Sequence, residues 1–321
     1  MRPHAMTPAI VPTRRAFSER MAEYGAIDGD FVVFEADIGY STFSHLFGDQ
    51  YPARYFNMGI AEGNMVSAAA GMAADGRTAV ASSYGVFITM RALESVRTFV
   101  CYPDLNVKFL SSHGGFTPAI DGVSHQATED IANMTTLPNM KVLVPADTWA
   151  AKKLFDVALQ TPGPVFVRLM RDPILELYEP DDSFRMGGSH VVIEGTDVTI
   201  ATYGDIVFEA IEAARLLAKE AIRAEVIDMY SVKPFDRETL VRSLDKTGAL
   251  VVAENHQKRN GLGYELSNFC IKNKVVPFDN LGLEDTFAES GSYGKLLEKY
   301  GLSKTHIAGA ARRLLRRTSN G

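Results

Sequence analysis

The side chains in this sequence whose types and spacing could do chemistry are one carboxylate, an aromatic pair and two imidazoles. Glu62 interrupts an apolar stretch, Asn57-Met58-Gly59-Ile60-Ala61-Glu62-Gly63-Asn64-Met65, where a helix should begin. Burial there would raise its pKa and favour a short hydrogen bond to a ligand nitrogen. The position equally suits an ordinary first-turn glutamate favoured by the helix dipole. Tyr84 and Phe87, spaced i, i+3 after a strand that ends in Ser82-Ser83, could face one aromatic ligand or pack into a core. Arg91, four residues beyond Phe87, serves either reading. His113 and His125 flank a loop that contains Gly114, Gly115, Pro118 and Asp121. Imidazoles suit proton transfer near neutral pH and contacts to hydroxyls or phosphate. Zinc is a weak alternative, because the spacings match no usual ligand pattern and no cysteine accompanies them. The chain has no GxGxxG after a strand, no P-loop, no GxSxG and no HExxH. These residues outline a site but do not name a reaction.

The elements that must position them alternate. Short β-branched runs at 31–35, 79–83, 107–111, 141–144 and 165–169 read as buried strands of a parallel sheet. Helical patterns fall between them at 13–24, 61–74, 89–100, 128–135 and 148–160. A second set follows the acidic break ELYEPDDSFRMGG at 176–188: strands at 198–202, 224–228 and 249–254, and helices at 206–219, 236–245, 262–272 and from Thr305. The expectation is an α/β fold of two domains, each a mostly parallel sheet flanked by helices. The division is an N-terminal extension 1–12, a first domain 13–175, a linker 176–195 and a second domain 196–321, with the boundary near residue 180. Ligands of open α/β sheets bind outside the carboxyl ends of the strands. The polar clusters 36–41, 82–87 and 111–125 fall there, which places the chemistry in the first domain.

Composition bounds the rest. The 321 residues are 46% hydrophobic and 22% charged, an ordinary globular balance. A net charge of −6 disfavours generic nucleic-acid binding, and the short basic tail at 312–317 does not reverse it. No run is long enough for a membrane span, and Met1–Pro12, with three prolines, does not read as a signal peptide. Two distant cysteines, Cys101 and Cys270, form no disulfide framework. A cytoplasmic protein is expected.

Together the segments NMGIAEGNMV (57–66), SSYGVF (82–87), RALESVR (91–97), YPDLNVK (102–108), SHGGFTPAIDGVSHQATEDIA (112–132) and PNMKVLVPAD (138–147) resemble the transketolase family. Its members are thiamine diphosphate enzymes that transfer two-carbon ketol units. The resemblance runs from about Thr13 to Ile307 and is closest to the small (C-terminal) subunit of split transketolases, which holds the pyrimidine-binding and C-terminal domains. It implies that Glu62 bonds N1′ of the cofactor's aminopyrimidine, with Tyr84 and Phe87 around that ring, Arg91 beside them and Ile38 supporting the bent cofactor. It implies sugar-binding and proton-shuttling roles for His113, Asp121 and His125, and sugar-phosphate contacts for Arg15, Ser41 and Arg168, with Arg14 a contender for the place of Arg15.

Two departures stand out. Ala119-Ile120 occupies the place where many members have Gly-Glu, and no GDG motif followed by Asn, the family's Mg²⁺ and diphosphate ligands, occurs here. The resemblance therefore implies half of each cofactor site, with Mg²⁺ held by a large (N-terminal) partner subunit in an α₂β₂ complex, and self-association of the chain alone. Substrates would be sugar phosphates. The alternatives are the β subunit of a 2-oxo acid dehydrogenase E1 component, which shares the domain order, and a non-catalytic assembly partner that keeps only the fold.

Overall fold

A computed structural model of the chain describes residues 6–319. Residues 1–5 of the N-terminal extension and the side chain of Arg317 in the basic tail lie outside the described residues. The fold is α/β, built on two mostly parallel sheets. In chain order the strands of these sheets are β1 (Val32–Glu35), β2 (Tyr55–Asn57), β3 (Ala79–Tyr84), β4 (Val107–Ser112), β5 (Lys141–Leu143), β6 (Val165–Arg168), β7 (His190–Ile193), β8 (Val198–Thr202), β9 (Ala224–Asp228), β10 (Ser231–Lys233), β11 (Leu250–Gln257) and β12 (Phe278–Leu283). The first sheet runs β10-β5-β6-β4-β3-β1-β2 and the second β12-β11-β8-β9-β7. Within them, only the edge strands β10 and β7 run antiparallel to their neighbours.

The central strands are buried on both faces, as parallel sheets require. Along the first strand segment Phe31 and Val33 pack against α1 (Thr13–Tyr24) and α4 (Thr148–Gln160), with Phe17 and Phe155 edge to face at 5.0 Å. Val32 and Phe34 pack the other way, against Met65 and Ala69 of α2 (Glu62–Ala74). Asp147 caps α4, its carboxylate accepting from the Ala150 N–H at 2.8 Å.

Three expectations change. The helix expected at 89–100 is a pair of π-helical segments, Phe87–Arg91 and Val96–Cys101, joined by an α turn at Leu93–Ser95. Such wide turns are frequent at functional sites, and this one carries Phe87 and Arg91. The short strands β2, β7, β10 and β12 gave no clear alternation in the sequence. Last, β10 belongs by sequence to the second half of the chain but pairs with β5 in the first sheet. Among the described residues no helix is long and apolar enough to cross a membrane.

Candidate functional site

The loops after β1, β3, β4 and β6 meet at the carboxyl edge of the first sheet. At their centre Tyr84 donates its hydroxyl to Ser41 Oγ at 2.7 Å, and its ring lies 3.9 Å from that of His113 and 5.6 Å from that of His125. Phe87 stacks on Tyr84 at 5.4 Å and meets His125 at 5.9 Å. The guanidinium of Arg91 sits 4.2 Å over Phe87 and pairs with Glu62 at 3.1 Å. Glu62 opens α2 and is 4% exposed, against Arg91 at 53% of its side chain. The expected carboxylate, aromatic pair and imidazoles thus form one continuous chain of contacts.

His113 is 2% exposed, and its Nδ1 is 2.9 Å from Ser112 Oγ. Burial holds its pKa far below the usual imidazole range, and the charges of Arg14, Arg171 and His125 push the same way, so it is neutral. His125 is half-buried, with Nδ1 2.9 Å from Ser124 Oγ. Asp37, His113 and Ala119 all take left-handed backbone conformations, at φ of 62°, 63° and 52°. Strain of this kind persists only where the surroundings over-determine it, and it gathers at functional sites. Ile38 is half-buried, its N–H held at 2.8 Å by Glu35, a carboxyl whose pKa burial raises.

The phosphate-binding expectation needs correction at two positions. Arg15 lies on the outer face of α1, 46% exposed and paired with Glu19. It is Arg14 that donates to both the carbonyl and the hydroxyl of Ser41, and to the Arg171 carbonyl at 2.8 Å. Arg168 is 2% exposed, its Nε 2.8 Å from Asp130 and its Nη2 2.7 Å from the Asn255 carbonyl. Burial and these two partners enclose it away from solvent. Arg171, three residues further on, pairs with Asp121 at 3.1 Å and shares the site with Arg14. Burial lowers the pKa of Arg14, and the neighbouring Arg171 charge adds to that, while Tyr84 acts against it. Arg171 also pairs with Asp172 at 2.9 Å, so two guanidiniums here face two aspartates, and the forked donors of the arginines are the groups suited to an anion. Sequence reasoning passed over Arg171; its position just past a strand's carboxyl end, next to Asp172, was the available signal.

Beneath these groups the hydroxyls of Ser82, Ser83 and Ser111 are buried with no hydrogen-bond partner among the described residues. Orphans at the ends of the two central strands mark an edge built to meet something.

The family model for the transketolase pyrimidine-binding domain matches residues 10–174, and that for the transketolase C-terminal domain matches 187–307. The chain belongs to the transketolase family. Among its relatives is a 6-deoxy-6-sulfo-D-fructose transketolase subunit of a Clostridium species, 36% identical over 95% of this chain and 94% of that protein. Another is a subunit of the apulose-4-phosphate transketolase of Phocaeicola vulgatus, 31% identical over 94% of this chain and 97% of that protein. A solved structure described as a split gene transketolase, inactive beta4 tetramer, superposes with a TM-score of 0.89 at 41% identity, covering 95% of this chain and 99% of that one.

Proposed function

We propose that the chain is the small subunit of a thiamine diphosphate-dependent transketolase that moves a two-carbon ketol unit between sugar phosphates, active with a partner that carries the Mg²⁺ and diphosphate ligands. The observation that carries this reading is the unbroken run from Glu62 through Arg91, Phe87 and Tyr84 to His113 and His125. The related subunits and the tetramer described as inactive support a chain that needs a partner.

The residues present fit the pyrimidine half of the cofactor: a buried carboxylate, two stacked rings and unpartnered hydroxyls. The Mg²⁺ ligands are assigned to the partner because the sequence carries no GDG motif followed by Asn. Bound thiamine diphosphate would supply a carbon acid at its thiazolium C2 able to carry the ketol unit. Glu62 would hold N1′ in a hydrogen bond strengthened by its apolar surroundings. Ile38, Tyr84 and Phe87 would orient the ring. Neutral His113 and half-buried His125 would exchange protons with the sugar's hydroxyl groups. Asp121 and Ser41 would bind other hydroxyls, and Arg14 and Arg171 an anionic group at the far end of the substrate.

The test is reconstitution with a partner bearing the diphosphate-binding half. Ketol transfer dependent on thiamine diphosphate is expected, and 2-oxo acid decarboxylation in its place would assign the chain to the 2-oxo acid dehydrogenases. In the assembled complex Glu62→Gln should bind cofactor but slow C2 hydrogen–deuterium exchange by at least about 10²-fold, near 2.7 kcal/mol of barrier. An unchanged exchange rate would remove Glu62 from the mechanism.

A further inference from the structure

A buried polar bridge runs from the second domain to the loop that carries His113, Asp121 and His125. Asn255, fully buried in β11, accepts a hydrogen bond from the Phe116 N–H at 2.9 Å and donates its amide to Asp205 at 2.8 Å. Tyr293 donates to the same Asp205 oxygen. Arg168, held by Asp130, donates in turn to the backbone carbonyl of Asn255. The loop rests directly on these two side chains. A Cβ at Gly114 would lie 2.4 Å from Arg168 Nε, and one at Gly115, where φ is +58°, would lie 2.3 Å from Asn255 Oδ1. The Gly114-Gly115 pair is what allows this approach.

We propose that Asn255 is a positioning residue for the reaction: through it the second domain sets the conformation of the His113–His125 loop, while Arg168 fixes Asn255 itself. The second domain also bonds the far limb of this loop, the Gly291 N–H to the Ala119 carbonyl at 3.3 Å and Gln126 to the Glu289 carbonyl at 3.2 Å, while Asn255 is the side chain on which the Gly114–Phe116 limb rests. A carboxamide suits the task because one head both accepts from an N–H and donates to a carboxylate. Without it, Phe116 N–H is left buried and unpaired, and Asp205 keeps only the Tyr293 hydroxyl of these two donors. The left-handed conformations at His113 and Ala119 then lose one of the contacts that hold them.

The kinetic arm of the test rests on the transketolase reading; the exchange arm does not. Four forms of the full chain are compared, alone and with the partner subunit: wild type, Asn255→Asp, Asp205→Asn and the double swap. Asn255→Asp sets two carboxylates against each other with only the Tyr293 hydroxyl beside them to donate, whereas the swap keeps an acceptor for Phe116 N–H and restores a donor–acceptor contact across the pair. In Asn255→Asp, amide hydrogen exchange over residues 114–126 should quicken about tenfold or more, the loss of roughly one hydrogen bond's worth of protection. In the complex kcat should fall about tenfold or more, with thiamine diphosphate affinity within about twofold of wild type. The swap should bring exchange and kcat back to within about threefold, the residual expected when two neighbouring groups are exchanged. A swap as defective as Asn255→Asp, or unchanged loop exchange in the single variant, overturns the proposal. Should Asn255→Asp fail to fold, recovery of both fold and kcat by the swap supports it, and no recovery overturns it. If no form transfers ketol groups, wild type included, the transketolase reading fails and the exchange arm still decides.

Discussion

At the carboxyl edge of the first sheet the strands end in open loops, strained residues and unpartnered hydroxyls. At the same edge of the second sheet the chain supplies its own anion. Glu254, fully buried within β11, accepts from the N–H groups of Leu262 and Gly263 at 2.8 and 2.9 Å and from the Tyr203 hydroxyl at 3.1 Å. The start of the helix Leu262–Asn273 is where a ligand phosphate would otherwise sit. A Cβ at Gly261 would lie 2.3 Å from that carboxylate, so the glycines of Asn260–Gly263 admit a side chain, with no space left for a ligand. Asp228, at the end of β9, is likewise fully buried and receives the Tyr178 hydroxyl at 2.6 Å. One related topology serves as a site in the first case and as a joint in the second. What separates them is whether the strand ends are completed from within the chain.

The contrast can be broken at its open side first. His113→Ala or His125→Ala in the reconstituted complex should lower kcat by roughly 10²- to 10⁴-fold, as loss of a general acid or base does, with cofactor affinity near wild type. Equilibrium titration alongside steady-state kinetics would check it. A variant that loses cofactor and keeps its turnover per bound site would move that histidine out of the substrate pocket. A smaller effect is expected at the arginine pair. Arg14→Ala and Arg171→Ala should each raise KM for a phosphorylated substrate by about 10- to 100-fold, or roughly 1.4–2.7 kcal/mol, and leave a non-phosphorylated sugar nearly unaffected. Arg15→Ala, on the outer face of the same helix, serves as the control and should stay within about twofold, the scale of an exposed ion pair. Equal losses on both sugars would detach the arginine pair from the phosphate.

The closed side should respond to pH rather than to substrate. Burial raises the Asp228 carboxyl from its ordinary 3.8 to about 8. Its folded pKa exceeds its unfolded one, so its contribution is fully present below about pH 4 and is lost as pH rises through 8, by up to about 1.4 kcal/mol per unit. Asp228→Asn keeps the shape of the neutral acid and should flatten that part of the profile. Thermal unfolding followed between pH 5 and 8 reads the difference, and parallel profiles for the two proteins would show that Asp228 is not the titrating group.

How far the sequence reached follows the same physics. Helices at 13–24 and 148–160 were bounded correctly because apolar spacing is a local signal, joined in the second by the Asp147 cap. The grouping of Glu62, Tyr84, Phe87, His113 and His125 was legible because each lies at the end of a strongly patterned element. The choice between Arg14 and Arg15 was not, since adjacent helical residues point about 100° apart and only the packing of α1 on the loop at Ser41 selects one. Arg168 looked available because a strand-end arginine carries no mark of what will cover it. Its partners are Asp130 and the Asn255 carbonyl, 38 and 87 residues away. The edge strands escaped notice because three or four residues give too little alternation to read.

One of those edge strands governs how the molecule can be divided. The residues of β10 lie past the family boundary in sequence, yet they cover the outer edge of β5, with the Val144 N–H bonded to the Tyr230 carbonyl at 2.8 Å and Lys233 reaching the carbonyls of Thr135 and Leu137. A cut near residue 180 would follow the composition break and still leave β5 a bare edge, ready to pair with another chain. The two domains are separate in sequence pattern and interlocked in space. A fragment that keeps the site must also keep the segment through Lys233, and exchanging C-terminal domains between relatives means carrying that strand with the first domain.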